Sequence, residues 1–214
     1  MKTLQAMIVL AAGSSMAMGA PTAYRLNNAF DLSVTPVGGY DGEVASKGKL
    51  VQLEYSDGMG CFEVVLVSVF GDAQGPDVWS ADGAMYPAQD LFVTRSTDNG
   101  ATWSQPVNVS NTAALSSIDA DHDGDPLTPE IAYYGDSEKP NIINQGKNIL
   151  ISWIDHYVPG GAQRTVTYPE FGLVEVPYGA TYCVRSSDAG ATWGAPELLS
   201  NGDRDAKQDV TKVS

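Results

Sequence analysis

Residues 95–103 read RSTDNGATW, and residues 185–193 read RSSDAGATW. A chain that writes the same turn twice is built to fold one supersecondary unit twice, because each copy of the segment faces the same local choices. The likeness is longer than the nonapeptide. Residues 93–111 (VTRSTDNGATWSQPVNVSN) align without a gap on residues 183–201 (CVRSSDAGATWGAPELLSN). Upstream, GKLVQLEY at 48–55 resembles GKNILISW at 146–153, an offset of 98. Each unit is therefore expected to run strand, insertion, strand, nonapeptide turn, strand. The units span about 30–111 and 139–201, with insertions at 71–89 and 155–179.

The segments 49–55, 61–70, 90–95, 148–154 and 180–185 are rich in β-branched and aromatic residues. Several alternate with period two, and Gly, Pro, Asn and Asp separate them. No segment of the mature chain combines a helical period with caps. The expected class is all-β.

In the repeated turn, Ser96 and Asp98 carry short acceptors that close a tight turn on nearby backbone N–H groups. Gly100 can take a positive φ without penalty. Thr102 completes the pattern, and Trp103 offers a large apolar face to the core. Ser186, Asp188, Gly190, Thr192 and Trp193 repeat the set. A carboxylate duplicated in two equivalent turns reads as a folding staple rather than a catalytic group.

The pattern S-x-D-x-G-x-T-W, complete in both copies, resembles the Asp-box or BNR repeat of the sialidase superfamily. The resemblance covers about residues 47–201. It implies a β-propeller of four-stranded blades, with each box at the turn between a blade's third and fourth strands. Two blades are accounted for here. Propellers close with at least four, and sialidases resemble a six-bladed ring, so the chain is expected to be the N-terminal part of a longer protein. The alternative is a ring completed by other chains.

The chain opens with Lys2, a short apolar run at 6–12 and small residues toward position 20. That reads as a secretory signal peptide over residues 1–20, since the run is far shorter than the ~20 residues a bilayer needs. Export outside the cell or to its surface follows, with no transmembrane segment. The 12 basic and 26 acidic residues leave a net charge of −14. Such a surface repels nucleic acid and anionic membrane and suits divalent cations. Cys61 and Cys183 are either a disulfide or two small apolar side chains.

Between the units lies DADHDGDPLTPE, residues 119–130. Asp119, Asp121, Asp123, Gly124 and Glu130 fit D-x-[DN]-x-[DN]-G-x5-E, with Asp125 giving a backbone oxygen. Alternating carboxylates can converge on a hard cation that wants six to eight oxygens. Pro126 and Pro129 and the strand-like flanks rule out a helix–loop–helix, so the reading is a Ca2+ loop that stiffens a long connection. His122 inside it is expected to face water. His156 has no visible nucleophile or metal partner, and the sequon at Asn108 is uninformative alone.

Sialidase chemistry, as the resemblance implies it, needs arginines on a substrate carboxylate, a tyrosine–glutamate nucleophile pair and an aspartic acid as acid/base. Arg25 in YRLN stands near the place of the first arginine, without the family's proline. It is either that anchor or an ordinary arginine. Asp77, Asp82 and Asp90 precede the first box, and Asp82 beside Gly83 is the candidate acid/base. Arg95 and Arg185 belong to the box strands. Three readings follow. The first is an exported, calcium-stabilised Asp-box propeller that binds glycan or an extracellular protein. The second is an exo-sialidase-type glycoside hydrolase with its remaining residues downstream. The third is a structural exoprotein whose two-blade units assemble between chains.

Overall fold

The computed structural model describes residues 46–56, 58–170 and 172–206. The signal-peptide segment and Arg25 lie outside them. Among the described residues the regular structure is all β-strand. Two four-stranded antiparallel sheets form. The first comprises β1 (Ser46–Ser56), β2 (Phe62–Trp79), β3 (Met85–Ser96) and β4 (Val107–Asn108), hydrogen-bonded in that order. The link to the second sheet carries a small hairpin, β5 (Ser116–Ala120) and β6 (Ile131–Tyr134). The second sheet comprises β7 (Glu138–Gln145), β8 (Asn148–Asp155), β11 (Ala180–Ser186) and β12 (Glu197–Leu198). Between β8 and β11 stands a further hairpin, β9 (Thr165–Thr167) and β10 (Glu175–Pro177).

Each nonapeptide turn joins the third strand of its sheet to the fourth, β3 to β4 and β11 to β12. The period-two pattern explains the packing. Val65, Val67 and Val69 of β2 are buried on one face, and Val93 of β3 sits opposite Val69 on that face. They meet Ile149, Ile151 and Trp153 of β8 and Val184 of β11 to form the core between the sheets. Each aliphatic side chain fully buried there contributes roughly 1.5–3 kcal/mol.

Two sequence expectations need correction. The segment 71–89 is not a loop insertion. Strands β2 and β3 continue through it as a long hairpin, with a register shift between Ala73 and Asp77 and a turn near residues 80–84. Val78, Trp79 and Ala88 fix this extension, because they are fully buried in a second core with Ala120, Tyr133 and Val176. The second correction concerns the 48–55 and 146–153 match. Residues 48–55 lie in the first strand of their sheet, while 149–153 lie in the second strand of theirs. The strand equivalent to β1 is β7. Both matched segments are apolar strands entered through Gly-Lys, which local sequence alone does not separate. Cys61 and Cys183 form no disulfide; Cys61 is exposed before β2 and Cys183 is buried in β11.

Candidate functional site

The two ends of the sheets differ. At one end stand both nonapeptide turns and the short β1–β2 and β7–β8 connections. At the other emerge the long β2–β3 hairpin, the 109–137 link with β5–β6, and the 156–179 segment with β9–β10. Long connections on a rigid scaffold are where binding residues concentrate.

The nonapeptide turns are closed by local side-chain bonds, and the second is tied in addition to the β7–β8 connection, where the Ala189 N–H donates to the Lys147 carbonyl at 2.9 Å. The Gly100 N–H donates to Ser96 Oγ at 2.8 Å, and Ser96 Oγ donates to Asp98 Oδ1 at 2.7 Å. Asp98 also accepts from the Thr102 backbone N–H at 2.8 Å and the Thr102 hydroxyl at 2.6 Å. Ser186, Asp188, Gly190 and Thr192 repeat these bonds within 0.1 Å. Hydrogen bonds to Thr102 and Thr192 hold the Asp98 and Asp188 carboxyls down to about 2. Trp103 and Trp193 are both half-buried, and Trp193 packs on the inter-sheet core.

The long connections are pinned to the sheets by three buried carboxylates. Asp90 Oδ1 accepts from the Thr112 N–H at 2.8 Å, the Ala113 N–H at 3.1 Å and the Ser110 hydroxyl at 2.8 Å. Asp90 Oδ2 accepts from the Asn108 amide at 2.8 Å, so the sequon asparagine is engaged in this network. Asp155, fully buried, accepts from the hydroxyls of Thr112 and Ser137, both at 2.7 Å, the Trp153 ring N–H and the Tyr157 backbone N–H. Asp136 accepts from the Gln89 N–H at 3.0 Å and the Tyr86 hydroxyl at 3.1 Å. Burial pushes the Asp136 carboxyl up to about 6, and it raises Asp155 as well. His156 is buried beside Tyr133, with Nδ1 2.9 Å from the Pro177 carbonyl. Of these carboxylates only Asp90 stood among the sequence candidates. The signal for the others was slight: a charged residue ending an apolar strand, as in WID at 153–155.

The acidic loop is the tip of the β5–β6 hairpin. Asp121 Oδ1 accepts from the Asp123 and Gly124 N–H groups at 3.1 and 2.8 Å. Asp123 and Asp125 repeat the device on the Asp125 and Leu127 N–H groups. Potential ligand atoms of Asp121, His122 and Asp123 come within 4.8 Å of one another. Asp119 pairs with Ala132 inside β5 and, with Asp125 and Glu130, stays outside that group. His122 does not simply face water. Its ring lies 5.8 Å from that of Trp79, and its buried Nδ1 has no hydrogen-bond partner.

Asp82 stands at the tip of the β2–β3 hairpin. It accepts from the Ser80 hydroxyl and from the Ala84 N–H at 3.2 Å. The Ser80 hydroxyl, first among these, holds its pKa below the ordinary carboxylate value. That favours the ionised form. Nearer the β9–β10 hairpin, the exposed Arg164 guanidinium lies over the Tyr178 ring at 5.9 Å.

No protein-family model and no curated protein matches the chain. Among the described residues, no helix is long and apolar enough to cross a membrane.

Proposed function

We infer that this chain is part of an exported Asp-box β-propeller that binds glycan or protein outside the cell through its loop-bearing end. The observation that carries the reading is the division of labour between the two sheet ends. Both boxes close one end, while among the described residues the long connections emerge at the other. Arg164 over Tyr178 supplies that end with a planar cation and an aromatic face, a pairing suited to carboxylated sugar. Binding of the purified protein to a panel of sialylated and neutral glycans tests the reading. Sialylated ligands are expected to bind, with Arg164→Ala and Tyr178→Ala each weakening them. Sialylated binding that survives both substitutions counts against the reading, as does no binding to any glycan or extracellular protein tried.

A Ca2+ ion in the 119–130 loop belongs to the same reading. Asp121 and Asp123 fit as its first ligands, because each keeps one oxygen outside the backbone bonds recorded for it. Asp119, Asp125 and Glu130 would add oxygens only if the hairpin tip tightened around the ion. Bound there, the ion would offset repulsion among the carboxylates and stiffen the tip. Thermal unfolding with calcium and then with a chelator checks it. The midpoint is expected to fall on chelation, and that difference to vanish in Asp121→Ala; a midpoint indifferent to calcium overturns the assignment.

A further inference from the structure

The segment that carries Arg164 and Tyr178 has little regular structure of its own. Its hairpin, β9–β10, is built from strands of three residues, too short to hold a fixed shape in isolation. One side chain compensates. Gln163 Nε2 donates to the His156 carbonyl at 2.6 Å and to the Tyr178 carbonyl at 3.1 Å. Carbonyls only accept, so both amide protons are used and the orientation of the amide is settled. Gln163 Oε1 then faces Ser117, whose hydroxyl donates to it at 2.7 Å. Ser117 Oγ in turn accepts from the Val158 N–H at 2.8 Å, which leaves its own proton for Gln163. Gln163 thus joins β5, residues 156–158 and residue 178 through bonds whose directions are all determined.

Two local departures from regular backbone bring the partners into reach. Ser116 pairs with Tyr134 and Ile118 with Tyr133, so Ser117 is the extra residue at a register shift in β5. Such bulges re-aim a side chain and are over-represented beside functional sites. On the other side stands Gly202, buried at φ +71°. A Cβ there would lie 3.3 Å from Gln163 Cα, and its carbonyl accepts from the Arg164 N–H at 3.2 Å. The Arg164 carbonyl accepts from the Tyr178 N–H at 2.7 Å. The peptide groups on both sides of Arg164 are therefore bonded to residues that Gln163 itself touches. Fixing that backbone beforehand lowers the ordering cost left to be met when a ligand binds.

We propose that Gln163 is the positioning residue for the Arg164–Tyr178 pair, with Ser117 as its support from the β5–β6 hairpin. The role rests on the reading that Arg164 and Tyr178 meet a carboxylated sugar. Gln163 touches no ligand in it. The amide holds the two backbones that place the guanidinium over the ring, and Ser117 couples that arrangement to the 109–137 link.

Calorimetric titration of the purified protein with sialyllactose is the test. Gln163→Ala and Ser117→Ala are each expected to weaken binding about tenfold, the equivalent of one lost hydrogen bond. Ser117 lies 46 residues from Gln163 in the chain, and its variant serves alone if Gln163→Ala unfolds. Gln163→Glu gives the readout that a loss of packing would not. Protonated, the new carboxyl keeps one donor; ionised, it has none and faces two carbonyls. His156, Arg164 and Tyr178 stand beside it in both proteins, so the ratio of variant to wild-type affinity isolates the carboxyl. That ratio is expected to fall toward the alanine value as pH rises through its titration, with no such trend in Gln163→Ala. Hydrogen exchange of the Tyr178 amide, read without ligand, is expected to quicken in both alanine variants while the amides of β11 keep their rates. Wild-type affinity in the alanine variants, a pH-independent ratio for Gln163→Glu, or an unchanged Tyr178 amide overturns the positioning role and leaves the ligand reading standing. A wild type that binds no sialylated glycan, or binds as well after Arg164→Ala, overturns the ligand reading and the role built on it.

Discussion

Gly100 and Gly190 sit at φ of +85° and +79°, a region that costs a side chain roughly 1–2 kcal/mol. Their surroundings differ. A Cβ at Gly100 would touch Leu66 at 3.5 Å, whereas one at Gly190 would also press on Val67 of the neighbouring sheet at 3.1 Å. Gly190→Ala is therefore expected to destabilise more than Gly100→Ala, and paired denaturant titrations read the difference. The aspartates beside them give a second outcome. The Thr102 hydroxyl is foremost in holding Asp98 at about 2, so Thr102→Val should move that carboxyl up toward the ordinary range, seen by carbonyl NMR titration. These turns were legible in the sequence because the side-chain bonds that close them span four residues or fewer.

At the scale of elements, the extended β2–β3 hairpin depends on one side chain. Trp79 is fully buried, its ring N–H donates to the Glu175 carbonyl at 2.7 Å, and the Tyr133 hydroxyl donates to its carbonyl at 2.9 Å. One residue thus ties β2 to the β5–β6 and β9–β10 hairpins. Trp79→Ala is expected to cost about 3–5 kcal/mol, the range for emptying a large aromatic site, measured by chemical denaturation. Asp155→Ala removes one acceptor from four buried donors, on Thr112, Ser137, Trp153 and Tyr157. Orphaned donors of this kind each cost about 1–3 kcal/mol, so a loss of several kcal/mol is expected. None of this was legible beforehand. GDAQGPD at 71–77 carries the residues of a loop, and only the distant partners of Val78 and Trp79 keep it extended.

For the whole molecule, the buried and exposed carboxylates pull stability in opposite directions with pH. Asp136 has its folded value raised to about 6, so its contribution is fully present below the unfolded value near 4 and is lost as pH rises through 6. The shift corresponds to about 3 kcal/mol, and the raised Asp155 acts with the same sign. Asp98 and Asp188, lowered to about 2, contribute above the ordinary carboxylate value and lose that contribution as pH falls from about 4 through 2. The unfolding midpoint is thus expected to rise from pH 7 toward 4.5 and to drop below 4, with Asp136→Asn flattening the upper limb. The all-β class, the two repeated turns and the strands that flank them can be read from the residues alone, because short-range bonds and two-residue alternation fix those features. Which strands are equivalent, that residues 71–79 and 85–89 continue β2 and β3, that Asp90, Asp136 and Asp155 are buried, and which face of each sheet meets the other emerge from the folded chain alone. Those outcomes depend on contacts between residues far apart in the chain, which local pattern does not encode.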